Sequence, residues 1–138
     1  MNFNVVTGLP RSGSTLLCNI LTQNKEFTVS STSSLSTIVG SVINTVSASP
    51  EFKSELIHNK DEAELKLRRV IYGIINGWYP EEKIIFDKGR GWAFHSLTLK
   101  SLFPDGKLIV MIRDLRAVLA SIEKQHRKNP LLDDSLTP

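Results

Sequence analysis

The chain has 138 residues, a net charge of +3 and a single cysteine. That length suits one domain, 1–138, able to bury roughly two-thirds of the surface its unfolded chain exposes. Cys18 has no second cysteine to pair with, which excludes a disulfide-stapled module. No stretch approaches the roughly 20 apolar residues of a membrane span. The positive excess is small and dispersed, so no nucleic-acid surface and no membrane partner are expected, while anionic ligands are mildly favoured.

A first strand is expected over 3–7, where Asn4-Val5-Val6-Thr7 is β-branched and stopped by Gly8 and Pro10. Because the chain enters that strand at once, no leader is expected and a cytoplasmic location is the default. Gly8-Leu9-Pro10-Arg11-Ser12-Gly13-Ser14-Thr15 has the frame G-x-x-x-x-G-x-[ST] of a phosphate-binding loop. Ser14 stands where the nucleotide-hydrolysing version has lysine, and the cation has moved to Arg11. Gly8 and Gly13 let the backbone fold tightly around an oxyanion. Ser14 and Thr15 open a helix in which Leu16, Leu17, Ile20 and Leu21 recur at helical spacing. Its first N–H groups carry partial positive charge and attract an anion. Arg11 adds a planar fork of donors. A loop without the lysine that reaches the β- and γ-phosphates of ATP suits a nucleotide-like anion other than a triphosphate.

A weaker strand is expected over 27–30, overlapping a hydroxyl-rich segment at 28–37 that reads as loop running into a helix cap. Leu35, Ile38, Val39, Val42, Ile43 and Val46 then form a helical stripe, and Ser49-Pro50-Glu51 starts a short helix. The longest helix is expected over 60–78, with Leu67, Val70, Ile71, Ile74, Ile75 and Trp78 facing the core and Pro80 ending it. Further strands are expected over 83–87 and 107–112. The alternation of periods 2 and 3.6 predicts an α/β domain, a mainly parallel sheet flanked by helices.

Asp87-Lys88-Gly89-Arg90-Gly91-Trp92 follows the strand over 83–87, at the sheet edge where ligands of parallel sheets bind. Its cations and glycines suit close approach to an anion; the competing reading is a turn with Trp92 over the core. Beyond the last strand, Arg113 emerges and Asp114 can cap a helix in which Leu115, Val118, Leu119 and Ile122 face the core. Ser121 on that helix and Arg113 can flank a single phosphate. Cys18 reads as a packing residue, and His58, His95 and His126 are too scattered to be a metal site.

Together these segments resemble the sulfotransferases that use 3′-phosphoadenosine 5′-phosphosulfate (PAPS), a family with a P-loop nucleoside-triphosphate-hydrolase-like fold. GLPRSGSTLL is similar to their 5′-phosphosulfate loop, and LIVMIRDLRAVLAS to their 3′-phosphate motif. FDKGRGW and LKSLFPDGKLIVMIRD resemble the joining stretch of the protein-tyrosine, carbohydrate and bacterial or phage branches. The likeness implies that Arg11, Ser12, Gly13, Ser14 and Thr15 hold the phosphosulfate while Arg113 and Ser121 hold the 3′-phosphate. It implies sulfuryl transfer to a hydroxyl or amine, with Arg11 and Lys88 stabilising charge and no metal. The acceptor is then a small molecule, carbohydrate or peptide, and homo-oligomerisation stays open. Where some relatives carry a glutamate base after the first helix, this chain has only the hydroxyls of residues 30–34, with Asp87 as another candidate. Relatives are longer, so the chain reads as their donor-binding half, naturally short or cut. A nucleotide kinase or ATPase, and a non-catalytic nucleotide-binding remnant, are the alternatives.

Overall fold

A computed structural model describes residues 1–79 and 84–128. Four strands form one all-parallel sheet in the order β2-β3-β1-β4. They are β1 (Asn2–Gly8), β2 (Phe27–Ser30), β3 (Ile84–Lys88) and β4 (Leu108–Met111). Parallel neighbours require crossovers, and helices supply them. These are α1 (Ser14–Leu21), then α2 (Leu35–Ala48), α3 (Pro50–His58) and α4 (Lys60–Trp78), then a 3₁₀ turn (Arg90–His95) with α5 (Ser96–Leu102), while α6 (Leu115–Lys128) follows β4. None of the helices among the described residues is long and apolar enough to cross a membrane.

β1 lies between β3 and β4, and its residues Phe3 to Thr7 are buried on both faces, as expected of a central parallel strand. Phe3 and Val5 face the main core, which Leu35, Val39, Ile71, Ile75, Ile85 and Trp92 complete. Phe3 meets Trp92 edge-on, with ring centroids 5.6 Å apart. The buried polar residue Asn4 bonds to both flanks. Its Nδ2 donates to the Ile85 carbonyl at 3.0 Å, and its Oδ1 accepts the Lys107 N–H at 3.0 Å.

All four expected strands are present, β2 over the residues expected and the other three with shifted ends. β3 runs one residue further, so Lys88 belongs to the strand, while Lys83 and Pro80 lie outside the described residues. β4 is shorter at both ends: the Lys107 N–H goes to the Asn4 side chain, and Ile112 is 89% exposed. The helix over 60–78 is as expected, and Ser49 caps α3 by accepting the Phe52 N–H at 3.1 Å.

The helix faces differ more. Leu16 and Ile20 of α1, Val70 and Trp78 of α4, and Leu115 and Leu119 of α6 are exposed. Each helix meets its neighbours along a narrower line than its apolar stripe, fully burying only Cys18 in α1 and Val118 in α6.

Two glycines test this packing with opposite signs. A Cβ on Gly106 would lie 2.4 Å from the Phe3 carbonyl oxygen, whereas one on Gly73, inside α4, meets nothing within 4 Å. Gly106→Ala should lower unfolding stability by about 1–3 kcal/mol through overpacking. Gly73→Ala should raise it by about 1 kcal/mol, the helix-propensity difference. Urea titration of the two variants would refute this packing if the shifts shared a sign.

Candidate functional site

The parallel strands β1, β3 and β4 deliver Gly8, Lys88 and the segment after Met111 to one edge of the sheet. There β1 passes into the loop 8–13, which bends through three residues of positive φ: Gly8 at 146°, Arg11 at 62° and Gly13 at 98°. Arg11 is the one non-glycine in that region among the described residues. A left-handed non-glycine residue costs on the order of 1–3 kcal/mol and persists where its surroundings fix it. Gly8 is also confined by contact, since a Cβ there would stand 2.7 Å from the Met111 carbonyl oxygen. The loop is therefore pressed against the end of β4.

Gly13 begins α1 without any side-chain cap, so the orphan N–H groups of the first turn face the loop unclaimed by a side chain. Ser12 Oγ is buried with no hydrogen-bond partner among the described residues. A buried hydroxyl in that state normally marks a missing partner. Positive φ, uncapped helix and orphaned hydroxyl together fit a bound oxyanion.

Three residues singled out from the sequence form one hydrogen-bonded chain. Arg113 Nη1 donates to the Arg11 carbonyl at 2.8 Å, and Arg11 Nε donates to Ser121 Oγ at 2.9 Å. Arg113 and Ser121 thus meet through Arg11 rather than directly. Asp114 caps α6 as expected, accepting the N–H groups of Arg116 at 2.9 Å and Ala117 at 3.2 Å. The Arg116 side chain, followed by those two N–H groups, holds its carboxyl below the usual range. This cap fixes the start of the helix that carries Ser121.

Lys88 joins the loop from the other side. Its Nζ donates to Thr15 Oγ1 at 2.9 Å and to the Ser31 carbonyl at 2.8 Å. Among the described residues these contacts use two of the ammonium's three N–H directions. Ser14 opens α1 beside Thr15, so the loop residues, Lys88, Arg113 and Ser121 all gather at this edge.

Asp87 is fully buried on the opposite face of β3. Trp92 Nε1 donates to Oδ1 and the Tyr79 hydroxyl to Oδ2, each at 2.6 Å. Both oxygens are committed, so Asp87 fastens the sheet to α4 and the 3₁₀ turn. Tyr79 titrates well above its ordinary value because burial, then the hydrogen bond to Asp87 and its charge, disfavour the phenolate; Ser30 and Ser33 act the other way. The Cys18 thiol is likewise pushed up, chiefly by burial, with Lys88 opposing, as suits a packing residue.

The glycines of 89–91 serve packing. A Cβ on Gly89 would stand 2.6 Å from Ser36 Oγ and one on Gly91 3.1 Å from it, and Trp92 lies in the core. Arg90 is exposed, and its carbonyl accepts from Thr7 Oγ1 at 3.2 Å. Tyr79 was invisible to sequence reasoning, because its partners come from separate elements and no local pattern announces them.

The structure is an all-parallel α/β sheet with a glycine loop, two arginines and a lysine gathered at its carboxyl edge, the edge where ligands of open parallel sheets bind. The sulfotransferase-family model matches residues 5–132, and the chain belongs to that family, whose reaction is sulfuryl transfer. No match was found among curated proteins or among solved structures.

The Tyr79 environment yields a pH test. In the unfolded chain the phenol titrates near 10.0, and in the folded chain it holds its proton to higher pH. The associated stability is complete below that value, declines above it, and is lost once the folded phenol ionises. Urea midpoints from about pH 9 to about pH 11 should therefore fall less steeply for Tyr79→Phe than for the unsubstituted chain. Equal slopes would contradict the assignment.

Proposed function

We propose that this chain binds PAPS and transfers its sulfuryl group to a hydroxyl or amine of a small molecule, carbohydrate or peptide. The observation that carries the reading is the chain Arg113–Arg11–Ser121, which joins the loop after β1 to the segment after β4. A donor with anionic groups on both the 3′ and the 5′ oxygen of its ribose suits such a two-part cation site, and ATP does not require the second part.

On this reading Arg11, Ser12, Gly13, Ser14 and Thr15 hold the 5′-phosphosulfate through backbone N–H groups, hydroxyls and the guanidinium. Arg113 and Ser121 hold the 3′-phosphate. The orphaned Ser12 hydroxyl and the uncapped α1 support this assignment. When bound, PAPS supplies an activated sulfuryl group whose departure leaves a nucleotide bisphosphate. The catalytic work of the protein is electrostatic: Arg11 and Lys88 face charge that builds on oxygen during transfer. Lys88 is already fixed on Thr15, at the phosphosulfate end of the loop. The hydroxyl-rich segment 30–34, which holds Lys88 through Ser31, borders the acceptor side.

A kinase or ATPase is disfavoured by two observations. Ser14 replaces the triphosphate-reaching lysine, and Asp87, its candidate magnesium carboxylate, has both oxygens occupied.

Calorimetric titration with adenosine 3′,5′-bisphosphate, with ATP·Mg²⁺ alongside, tests the donor. Arg113→Ala should weaken bisphosphate binding by about 10- to 100-fold, the effect of one charge-assisted hydrogen bond. Preference for ATP·Mg²⁺ would replace this reading with a kinase-like one, and binding of neither would reject the donor site. Bisphosphate binding without sulfuryl transfer from PAPS would assign the chain to the nucleotide-binding remnant class.

A further inference from the structure

The two halves of the candidate site meet at one residue. Arg11 belongs to the loop after β1, yet the segment that follows β4 holds both its backbone and its side chain. Its carbonyl accepts from Arg113 Nη1 at 2.8 Å, and its Nε donates to Ser121 Oγ at 2.9 Å. Its φ of 62° is the left-handed conformation that a non-glycine residue keeps only where its surroundings fix it. Arg11 is exposed, so burial does not restrain its side chain. Among the described residues, the restraint is the bond to Ser121.

Helix α6 is built to deliver that hydroxyl. Asp114 caps its start, and Val118 is the residue it buries. Ser121 stands three residues beyond Val118 and so shares its helix face. The bond to Arg11 uses a lone pair of the Ser121 oxygen and leaves the hydroxyl proton to be given elsewhere. On the arginine it uses Nε–H, one of five donors, and leaves the N–H groups of Nη1 and Nη2 as a planar fork.

An arginine side chain carries large rotamer entropy, and an anion that recruits a free one must arrest it. A guanidinium tethered at Nε is arrested beforehand, so more of the interaction with its fork appears as affinity. We propose that Ser121 is a positioning residue for Arg11: by accepting the Nε–H it fixes the guanidinium and leaves the terminal Nη pair as the fork offered to an anion at the glycine loop. The serine assigned to the 3′-phosphate thereby also governs an anion that has no 3′-phosphate, and the two ends of the donor site are coupled. That the anion is a phosphosulfate rests on the proposed sulfotransferase function, whereas the hold of Ser121 on Arg11 does not.

Adenosine 5′-phosphosulfate, which carries the phosphosulfate and no 3′-phosphate, isolates this effect in calorimetric titration of the full chain. Ser121→Ala should weaken its binding by about three- to tenfold, the effect of one side chain no longer immobilised in advance. Ser121→Thr keeps the hydroxyl and should restore the affinity. Added to Arg11→Ala, Ser121→Ala should cost nothing more, because both act through one group. Unchanged affinity in Ser121→Ala would confine the serine to the 3′-phosphate and overturn the proposal, as would additive losses. Tighter binding would overturn it too, since Ser121 would then hold Arg11 away from the anion.

A second readout needs no nucleotide. Nitrogen-resolved NMR of the arginine side chains follows each Nε–H separately. The Arg11 Nε–H should exchange with water about three- to tenfold faster in Ser121→Ala, the effect of one net hydrogen bond, and slow again in Ser121→Thr. Arg127, whose Nε donates to Glu123 at 2.8 Å on the same helix, should be unchanged and reports that α6 is intact. An unchanged Arg11 rate would overturn the positioning role. Faster exchange in a chain that binds neither adenosine 5′-phosphosulfate nor adenosine 3′,5′-bisphosphate would uphold the hold of Ser121 on Arg11 and reject the donor reading instead.

Discussion

The buried carboxylate of Asp87 is the constraint on which the rest of the structure depends. A carboxylate withdrawn from water is tolerated only when donors replace its hydration. Here Trp92 and Tyr79 do so, and each comes from a different element. Satisfying one residue therefore fixes the end of β3 against the end of α4 and the 3₁₀ turn. It also fixes which face the next residue takes, and the next residue is Lys88. The core and the candidate site thus share one strand end, with the buried carboxylate of Asp87 and the ammonium of Lys88 back to back.

The opposite side of the site is fixed by sterics. Gly8 lies so close to the Met111 carbonyl that the loop cannot retreat towards β4. The loop must turn outward, and the positive φ at Arg11 accompanies a carbonyl that Arg113 captures. Two guanidinium groups are thereby drawn to one edge of a small sheet. Such a gathering of like charges is favourable when an anion sits among them, and it would serve little purpose in a purely structural turn.

Much of this was legible in the sequence because it is local. The strand–loop–helix frame at 8–15, the Asp114 cap and the run of helix over 60–78 each depend on neighbours within a few residues. What escaped depends on elements that meet only in three dimensions. The exposed leucines of α1 and α6 show that an apolar stripe reveals amphipathicity but not how much of it a neighbour covers. Gly89 and Gly91 suggested an anion loop, yet their freedom from a Cβ is used against Ser36, which lies more than fifty residues away in the chain. Lys88 was identified as a candidate cation, but Thr15 and Ser31, the acceptors that hold it, come from two other elements. Tyr79 had no local signature.

Asn4 has a consequence for how the sheet finds its alignment. A strand of uniformly apolar residues can slide along its neighbours with modest loss, since one valine packs much like another. Asn4 forbids that, because its amide is matched on one flank to the Ile85 carbonyl and on the other to the Lys107 N–H. Sliding β1 against either neighbour would strand a buried amide group without its partner. The central strand therefore carries a proofreading device: a polar residue that adds little attraction to the correct sheet and penalises the mis-registered ones. Since the glycine loop springs from the end of β1, this also guarantees that the loop emerges level with Lys88 and with the segment carrying Arg113.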